Sequence, residues 1–405
     1  MTREEIFSQC VQKIDKTNTL LLEAATGTGK TAISIRLVNH IFSFPAFKKE
    51  KEINILILVA KVVHKQTWIE EIEKWGGIHH PTAKINIRME CYESLHKCLD
   101  LTWDIVIADE VHHIGSELRL ELLEELTYKF FVGLSATIPR KLKQFFKYNY
   151  HSQIVSCDLV EAIDSNILPE PQILLLPLKL NNIDYTETFE INTKASGNIY
   201  YGNYRDLWKY KRAKVHAVLS CTQKQKSNEL NALIQWEKNK FMQTHNEAIK
   251  QSWLFHAGKR LEFYADCKLN IIRTILKHLN NYRTITFCKT IEQAENIGEG
   301  HCIHSKNEES DEIYKQFNQK KINHITAVNI LNENANLVDC KYAIFCNLSS
   351  SEVSVPQRIG RSLRHKSPVI IVPFYAGTRE EELVEKMIEG FNKEYIKVIH
   401  AINEI

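Results

Sequence analysis

Short apolar segments alternate with segments of helical spacing in two separate parts of this 405-residue chain. In the first part, the strand-like segments are residues 19–22, 53–60, 105–108 and 130–134, and the helical ones are residues 31–42 and 64–75. In the second part, the strand-like segments are residues 284–288, 324–328, 342–346 and 369–373, and the helical ones are residues 268–279 and 291–298. Strands separated by helices pair in parallel and are covered on both faces. The sequence therefore predicts an α/β fold with two parallel sheets.

A polar and basic segment, residues 185–262, separates the two alternating parts. It combines helical spacing with interleaved aromatic residues and many basic ones, among them Lys209, Lys211 and Arg212. One interpretation is a solvated helical insert whose aromatic residues form a small core of their own. The other is a basic, partly aromatic surface that follows a nucleic-acid backbone. Just before it, residues 173–180 are typical of a strand that joins the second sheet.

Composition narrows the class of protein. With 44% hydrophobic and 25% charged residues, the chain is typical of globular proteins and not of collagen-like, disulfide-rich or disordered ones. The formal charge of +3 neither requires nor excludes nucleic acid. No apolar run approaches the roughly 20 residues that cross a bilayer, and charged residues at positions 3–5 leave no room for a signal peptide. The 10 scattered cysteines contain no CxxC pair, so we expect reduced thiols and a cytoplasmic protein without membrane contact.

Residues 24–31, AATGTGKT, follow a predicted strand and open a predicted helix, as a phosphate-binding loop does. Two glycines let backbone N–H groups converge on a polyphosphate, and the helix N-terminus adds positive potential. Lys30 can reach the β- and γ-phosphates, and the Thr31 hydroxyl can bind Mg²⁺. The alternative is a glycine-rich turn with an accidental GKT. The candidate nucleotide-binding residues are Thr26, Gly27, Thr28, Gly29, Lys30 and Thr31.

An apolar strand that starts at residue 104 ends in Asp109 and Glu110, followed by His112 and His113. A strand end beside the phosphate loop allows Asp109 to hold Mg²⁺ through water and Glu110 to orient and deprotonate the attacking water. Successive strand residues point apart, which would divide these roles between the two acids. Two alternatives are a merely polar strand end and a zinc site that includes both histidines, although no fourth ligand stands at a suitable spacing.

Two further motifs complete a family pattern. Residues 133–137, GLSAT, follow the next predicted strand, and residues 357–364, QRIGRSLR, stand near the C-terminus. With AATGTGKT and DEVH they occur in the order found in superfamily 2 helicases of the DExH kind, which the chain resembles. The likeness is strongest to compact restriction-subunit-like and tailed-phage recombination-type DNA helicases. It implies two RecA-like lobes with parallel sheets, residues 1–158 and 263–405, a crossing segment with the first strand of the second lobe, residues 159–184, and a mainly helical basic insert, residues 185–262.

The resemblance also implies cofactors and residue roles. ATP and Mg²⁺ would be the cofactors, although the adenine-reading Gln of the family has only Gln9 and Gln12 as candidates here. His112, Ser135 and Thr137 would couple the nucleotide state to lobe movement. Gln357 would sense the γ-phosphate, and Arg361 and Arg364 would be arginine fingers that stabilise transition-state charge when the lobes close.

Four weaker likenesses to family motifs follow, and two of them, motifs Ia and IV, imply contacts with a nucleic-acid backbone. They are Lys61 in motif Ia, the TYxSL-like residues 91–95, Lys289 and Thr290 in motif IV, and motif V at residues 330–337, where Asn334 replaces the usual Gly. For each, an ordinary core strand with its turn is the alternative.

The resemblance implies an ATP-dependent helicase or translocase that acts on nucleic acid, with DNA favoured over RNA. It would hydrolyse ATP between the two lobes and work as a monomer or as a subunit of a nucleic-acid-processing complex. Two alternatives stay open: a nucleic-acid-stimulated ATPase switch that does not unwind, and a binding module whose catalytic site has decayed.

Overall fold

Two parallel sheets organise the chain, each within its own unit. The computed structural model describes residues 1–328, 337–348 and 365–405. Contacts assign residues 1–171, 337–341 and 365–368 to the first unit, and residues 172–328, 342–348 and 369–405 to the second. The predicted α/β class with two parallel sheets is confirmed. The finer boundaries after residues 158, 184 and 262 stay predictions.

The first sheet has six strands, all parallel, in the order β3-β2-β4-β5-β1-β6. The strands are β1 (Thr19–Ala24), β2 (Glu52–Val59), β3 (Lys84–Cys91), β4 (Trp103–Asp109), β5 (Tyr128–Ser135) and β6 (Gln153–Cys157). The helices are α1 (Arg3–Ile14), α2 (Lys30–Ile41), α3 (Val63–Lys74), α4 (Glu117–Glu125), α5 (Arg140–Tyr150) and α6 (Leu159–Asp164). Short 3₁₀ helices follow β3 and β4 at Tyr92–Cys98 and Val111–Gly115.

Parallel pairing brings the carboxyl ends of these strands to one edge of the sheet. β4, β5 and β1 are neighbours, with Asp109 in register with Leu134 and Glu23 in register with Ser135. Every residue of β4 is buried because helices cover both faces. The phosphate loop after β1, the acids after β4 and the GLSAT motif at the end of β5 therefore meet at this edge.

The second sheet has seven strands, all parallel, in the order β12-β13-β11-β14-β15-β7-β16. The strands are β7 (Gln172–Leu178), β11 (Thr284–Phe287), β12 (Cys302–Ile303), β13 (His324–Ala327), β14 (Tyr342–Phe345), β15 (Val369–Tyr375) and β16 (Ile396–Val398). The helices beside it are α10 (Leu269–His278), α11 (Ile291–Gly298), α12 (Ser310–Asn318) and α13 (Arg379–Ile388), with 3₁₀ turns at Lys393–Tyr395 and Ile402–Glu404.

The basic segment folds as part of the second unit and is not purely helical. It contains α7 (Leu207–Ala213), the long hairpin of α8 (Gln223–Thr244) and α9 (Glu247–Cys267), and a 3₁₀ turn at Tyr204–Asp206. The sequence did not predict its three-stranded sheet, ordered β8-β10-β9, of β8 (Glu187–Ile191), β9 (Tyr200–Asn203) and β10 (Ala217–Cys221). These strands have only four or five residues and cover a core of four buried side chains, too small to leave a clear apolar pattern.

Some aromatic residues of the insert are packed in its small core, and others are exposed on its surface. Tyr204 and Tyr210 pack against its small core. Tyr201, Trp208 and Trp236 instead expose 75%, 83% and 58% of their surface. The insert therefore has both a core of its own and aromatic rings available on its surface.

A fully buried ion pair connects two helices of the second unit. The amine of Lys268, at the start of α10, lies 2.6 Å from the carboxylate of Glu380 in α13, and both side chains are 0% exposed. The same amine donates to the carbonyl of Pro373, and Glu380 accepts the N–H of Tyr375. The end of β15 is therefore joined to both helices by charge-assisted hydrogen bonds.

Replacing Lys268 with Met is expected to lower the free energy of unfolding by about 3–5 kcal/mol, because Glu380 would stay buried without its cation. Chemical denaturation followed by circular dichroism measures the change. The matched control is Lys250→Met, which breaks the exposed pair with Glu247 and should cost less than about 1 kcal/mol. Equal losses in the two variants would contradict the expectation.

No helix within the described residues is both long and apolar enough to cross a membrane. All 10 cysteines lie in the described part and are free, and nine of them are buried.

Candidate active site

A cavity of about 550 Å³ lies at the carboxyl edge of the first sheet. Its walls come from the phosphate loop, the start of α1, the helix α3 and the acidic end of β4. Among the lining residues are Thr26, Gly27, Gly29, Lys30, Thr31, Asp109 and Glu110. The structure thus brings together most of the predicted nucleotide-binding residues and both predicted acids.

The phosphate loop has the geometry that its glycines predict. Gly27 and Gly29 both have φ of +96°, a conformation that residues with a Cβ avoid. The buried Thr28 hydroxyl donates to the carbonyl of Ala25 at 2.8 Å and closes the turn. α2 begins at Lys30, so the N–H groups of its first turn lie beside the cavity. An anion in the cavity would meet these N–H groups and the positive end of the helix dipole.

Two loop side chains fit a polyphosphate. The Thr26 hydroxyl oxygen is buried and has no hydrogen-bond partner among the described residues. The Lys30 amine donates to the carbonyl of Ala24 at 2.9 Å, within the loop itself. A phosphate oxygen would satisfy the first group and attract the second, since both belong to residues that line the cavity.

The carboxylate of Asp109 is held by two N–H donors. The indole Nε1 of Trp68 donates to Oδ2 at 2.9 Å, and the backbone N–H of Glu110 donates to Oδ1 at 3.1 Å. The hydroxyl of Tyr92 donates to the main-chain carbonyl of Asp109 at 2.7 Å. Burial, together with the negative charges of Asp109 and Glu110, raises the pKa of Tyr92 well above its usual value, so this hydroxyl keeps its proton.

Glu110 is oriented by its backbone and not by strand alternation. β4 ends at Asp109, and Glu110 has φ of +51°, in the left-handed region that non-glycine residues rarely adopt. The expectation that successive strand positions separate the two acids therefore gave the wrong physical reason. Strained backbone of this kind persists at functional sites where surrounding contacts impose it.

The residues predicted to couple nucleotide state to movement form one network around Glu110, to which Thr137 contributes its main chain. Oγ of Ser135 lies 3.2 Å from Oε2 of Glu110 and 2.9 Å from Nδ1 of His112. The same hydroxyl lies 3.0 Å from the carbonyl of Thr137. Direct hydrogen bonds therefore connect Glu110 with the GLSAT motif.

The oxygen ligands at the cavity suit Mg²⁺, which favours carboxylates, hydroxyls and phosphates. Asp109 and Thr31 both line the cavity, and the Asp109 carboxylate is oriented by two donors. Within the described ranges, no group of three or more His, Cys, Asp or Glu is arranged to hold a metal, so the zinc alternative has no support there.

Sequence reasoning missed three residues of this edge. Trp68 contacts Asp109, as described above. Glu23 accepts the N–H of Ile138 at 2.8 Å, and so fixes the chain after the GLSAT motif. Arg3 donates to the carbonyl of Thr28 at 3.0 Å and lines the cavity. Gln9 and Gln12, the candidates for the adenine-reading Gln, are not among the lining residues. For Glu23 the sequence did offer a signal, since it is a charged residue inside an apolar strand. Trp68 and Arg3 have no comparable signal in the sequence.

The candidate nucleic-acid residues lie in both units, and all of them except Thr290 are exposed. Lys61 lies in the exposed turn before α3. Lys289 is exposed, whereas the hydroxyl of Thr290 caps α11 by accepting the N–H of Gln293 at 3.2 Å. α7 carries Lys209, Lys211 and Arg212, all exposed, with Lys211 paired to Glu229 at 2.9 Å.

Comparisons with known proteins agree on one family. Residues 2–140 match the family model of the type III restriction enzyme res subunit, and residues 267–366 match the helicase conserved C-terminal domain. The chain is a superfamily 2 helicase. Its two-sheet architecture is similar to that of the Pyrococcus furiosus Hef helicase domain, with a TM-score of 0.52 at 15% identity, over 95% of this chain and 97% of that one. At that identity the likeness concerns the RecA-like fold alone.

Two curated relatives of this helicase are similar over most of its length. The DNA 3'-5' translocase XPB2 of Sulfurisphaera tokodaii is 22% identical, across 84% of this chain and 74% of that protein. The mitochondrial ATP-dependent helicase irc3 described for Schizosaccharomyces pombe is 23% identical, across 98% of this chain and 60% of that protein. The chain thus spans three quarters of the first relative and three fifths of the second.

Part of the helicase pattern lies outside the described residues. Gln357, Arg361 and Arg364 of QRIGRSLR belong to residues 349–364, and most of motif V, including Asn334, belongs to residues 329–336. Their roles in this helicase therefore stay predictions.

Proposed function

We propose that this helicase uses ATP and Mg²⁺ to move along DNA and to separate or remodel its strands. The observation that carries the proposal is the convergence of the phosphate loop, Asp109 and Glu110 on one cavity, with Glu110 joined to Ser135 by a hydrogen bond. ATP hydrolysis at this cavity would thus be linked directly to the GLSAT motif, which would transmit the change in nucleotide state. The preference for DNA is supported by the name of the XPB2 translocase, which acts on DNA.

The phosphate loop and the two acids have defined tasks in the proposed reaction. Bound Mg²⁺ would neutralise charge on the β- and γ-phosphates. The loop N–H groups, the Thr26 hydroxyl and Lys30 would hold the polyphosphate, while Thr31 and Asp109 would hold the metal. Glu110 would orient a water in line with the γ-phosphate and take its proton.

Coupling would run from Glu110 to the chain after β5. Loss of the γ-phosphate changes the charge next to Glu110, and the hydrogen bonds through Ser135 and His112 pass that change to Thr137. We propose that Gln357 senses the γ-phosphate and that Arg361 and Arg364 stabilise the transition state.

The basic insert, residues 185–262, is the proposed electrostatic contact with the track. It contains 13 basic and 7 acidic residues, whereas the remainder of the chain contains 39 basic and 42 acidic ones. The insert thus has a net charge of +6 and the remainder of the chain a net charge of −3, so the net positive charge of the chain comes from the insert. Exposed aromatic rings beside these cations can stack on bases, as in other sequence-tolerant nucleic-acid contacts. Lys61, Lys289 and Thr290 would add backbone contacts.

Replacing Lys209, Lys211 and Arg212 with Ala is expected to weaken DNA binding and to flatten its dependence on salt. Each lost phosphate contact removes about 0.7–0.9 from the slope of log affinity against log salt, so three contacts remove roughly 2–3. The matched control changes Lys48, Lys49 and Lys51, three exposed cations that precede β2 and so lie at the opposite, amino edge of the first sheet. Fluorescence anisotropy over a salt series measures both variants. Equal slopes for the insert variant and the wild type would contradict an electrostatic role.

ATP turnover with single-stranded DNA, forked DNA and RNA side by side tests the proposed function, together with strand displacement from the fork. We expect stronger stimulation by DNA than by RNA and release of the displaced strand. Turnover on DNA without displacement would favour the ATPase switch over the helicase. Stimulation by RNA alone would overturn the choice of DNA.

We also propose that the protein works in a reducing compartment such as the cytoplasm. Ten free cysteines, nine of them buried, support this, because buried thiols persist where disulfides are kept reduced.

A further inference from the structure

Two buried aromatic residues that belong neither to the phosphate loop nor to the acidic strand end, Trp68 and Tyr92, donate hydrogen bonds to Asp109. The indole of Trp68 reaches Oδ2 of the carboxylate at 2.9 Å, and the hydroxyl of Tyr92 reaches the main-chain carbonyl at 2.7 Å. Trp68 is 2% exposed and Tyr92 is 1% exposed, so water does not compete for these hydrogen bonds. Both donors are rigid rings, which fix the position of the acceptor more closely than flexible side chains would.

The two donors come from elements at the edge of the first sheet where Lys61, a proposed track contact, also lies. Trp68 lies on α3, which begins directly after Lys61 and the exposed Val62. Tyr92 opens the 3₁₀ helix Tyr92–Cys98, which follows β3. Because β2 lies between β3 and β4 and all three strands are parallel, both elements emerge at the same edge as Asp109.

Contacts on these elements would therefore reach Asp109 through a single side chain, its carboxylate through Trp68 and its main-chain carbonyl through Tyr92. A small shift of α3 moves the Trp68 indole, and with it the donor that fixes the Oδ2 oxygen. The other oxygen, Oδ1, is held by the backbone N–H of Glu110. Rotation of the carboxylate between these two donors would change how its oxygens face the cavity, which Trp68 also lines.

We propose that Trp68 and Tyr92 are positioning residues that set the metal-binding geometry of Asp109 and transmit nucleic-acid binding to it. This inference rests on the proposed function, since it assumes that Asp109 holds Mg²⁺ and that the track stimulates hydrolysis. Both would act through Asp109 and not on the reacting atoms. Their effect would come from the orientation of a carboxylate, as hydrogen-bond partners of metal ligands orient those ligands elsewhere.

The test compares Trp68→Phe with Trp103→Phe. Trp103 belongs to the same unit, is 3% exposed and donates its indole N–H to the carbonyl of Cys98 at 3.0 Å, so its replacement removes the same groups without touching Asp109. The readout is the Mg²⁺ concentration that half-saturates thermal stabilisation by a non-hydrolysable ATP analogue. Trp68→Phe is expected to raise that concentration by about 10-fold, whereas Trp103→Phe should leave it at the wild-type value.

A second readout addresses transmission. In Trp68→Phe, the ratio of ATP turnover with and without single-stranded DNA should fall severalfold, while the affinity for the DNA stays that of the wild type. Tyr92→Phe removes one hydroxyl with the ring retained, so it should fold even if Trp68→Phe does not, and it should shift both readouts in the same direction. Tyr264→Phe, which loses a buried hydroxyl bonded to Ser227 in the second unit, is its control.

The outcomes separate this inference from the proposed function. A normal Mg²⁺ requirement and a normal stimulation ratio in both Trp68→Phe and Tyr92→Phe would overturn the inference and leave the proposed function standing. Equal shifts in Trp68→Phe and Trp103→Phe would also overturn it, because they would reflect general loss of packing. A wild-type protein that the analogue and Mg²⁺ do not stabilise would overturn both.

Discussion

Glu110→Gln is expected to lower the rate of ATP hydrolysis by about 10²- to 10⁴-fold, the contribution typical of a positioned general base. The amide has nearly the size of the carboxylate and can still accept the hydrogen bond from Ser135, which lies 3.2 Å away. It cannot take a proton from water. Nucleotide binding should therefore survive, and steady-state turnover and the binding of a non-hydrolysable analogue, measured together, will separate the two effects.

Glu93→Gln is the matched control for this variant. Glu93 stands at the same end of the first unit but is exposed and paired with Arg119 at 3.0 Å, away from the cavity lining. Its replacement should leave turnover unchanged. If Glu110→Gln hydrolysed ATP as fast as Glu93→Gln, the assignment of Glu110 as the base would be wrong.

Arg361→Ala is expected to slow ATP hydrolysis by about 10³- to 10⁵-fold, the range measured for arginine fingers. The guanidinium would stabilise charge that develops on the γ-phosphate oxygens in the transition state, so its loss should reduce kcat much more than nucleotide affinity. Arg361→Lys should restore little, because an ammonium lacks the planar pair of donors. Single-turnover hydrolysis measures the chemical step directly.

Arg358→Ala provides the control from the same motif. Arg358 occupies an unspecified position of the QxxGRxxR pattern and carries the same charge. Wild-type turnover in Arg358→Ala with a large loss in Arg361→Ala would support the finger. Similar turnover in Arg361→Ala and the wild type would remove Arg361 from the catalytic account.

Local sequence patterns were sufficient for the elements that carry the phosphate chemistry. The run from Thr19 to Leu22 lies within β1, and the GKT sequence opens α2 at Lys30, because apolar periodicity and glycine chemistry act over a few residues. The meeting of the motifs at one edge of the sheet was also predictable, because parallel strands place their carboxyl ends at the same edge. The cavity that joins the loop to Asp109 and Glu110 followed from that rule.

Contacts between distant residues were not predictable in this way. Trp68 and Asp109 are separated by 41 positions, and Glu23 and Ile138 by 115, so no local pattern connects them. The left-handed backbone of Glu110 is imposed by its surroundings and not by a glycine. The small sheet of the insert was missed because its short strands bury few apolar residues.

The most direct test of the central assignment is ATP turnover by the wild-type protein with Mg²⁺, measured with and without single-stranded DNA. We expect hydrolysis that increases when the DNA is added and that disappears when the metal is chelated. A purified, folded protein that binds DNA yet hydrolyses no ATP under any of these conditions would contradict the assignment of the cavity as a motor's active site.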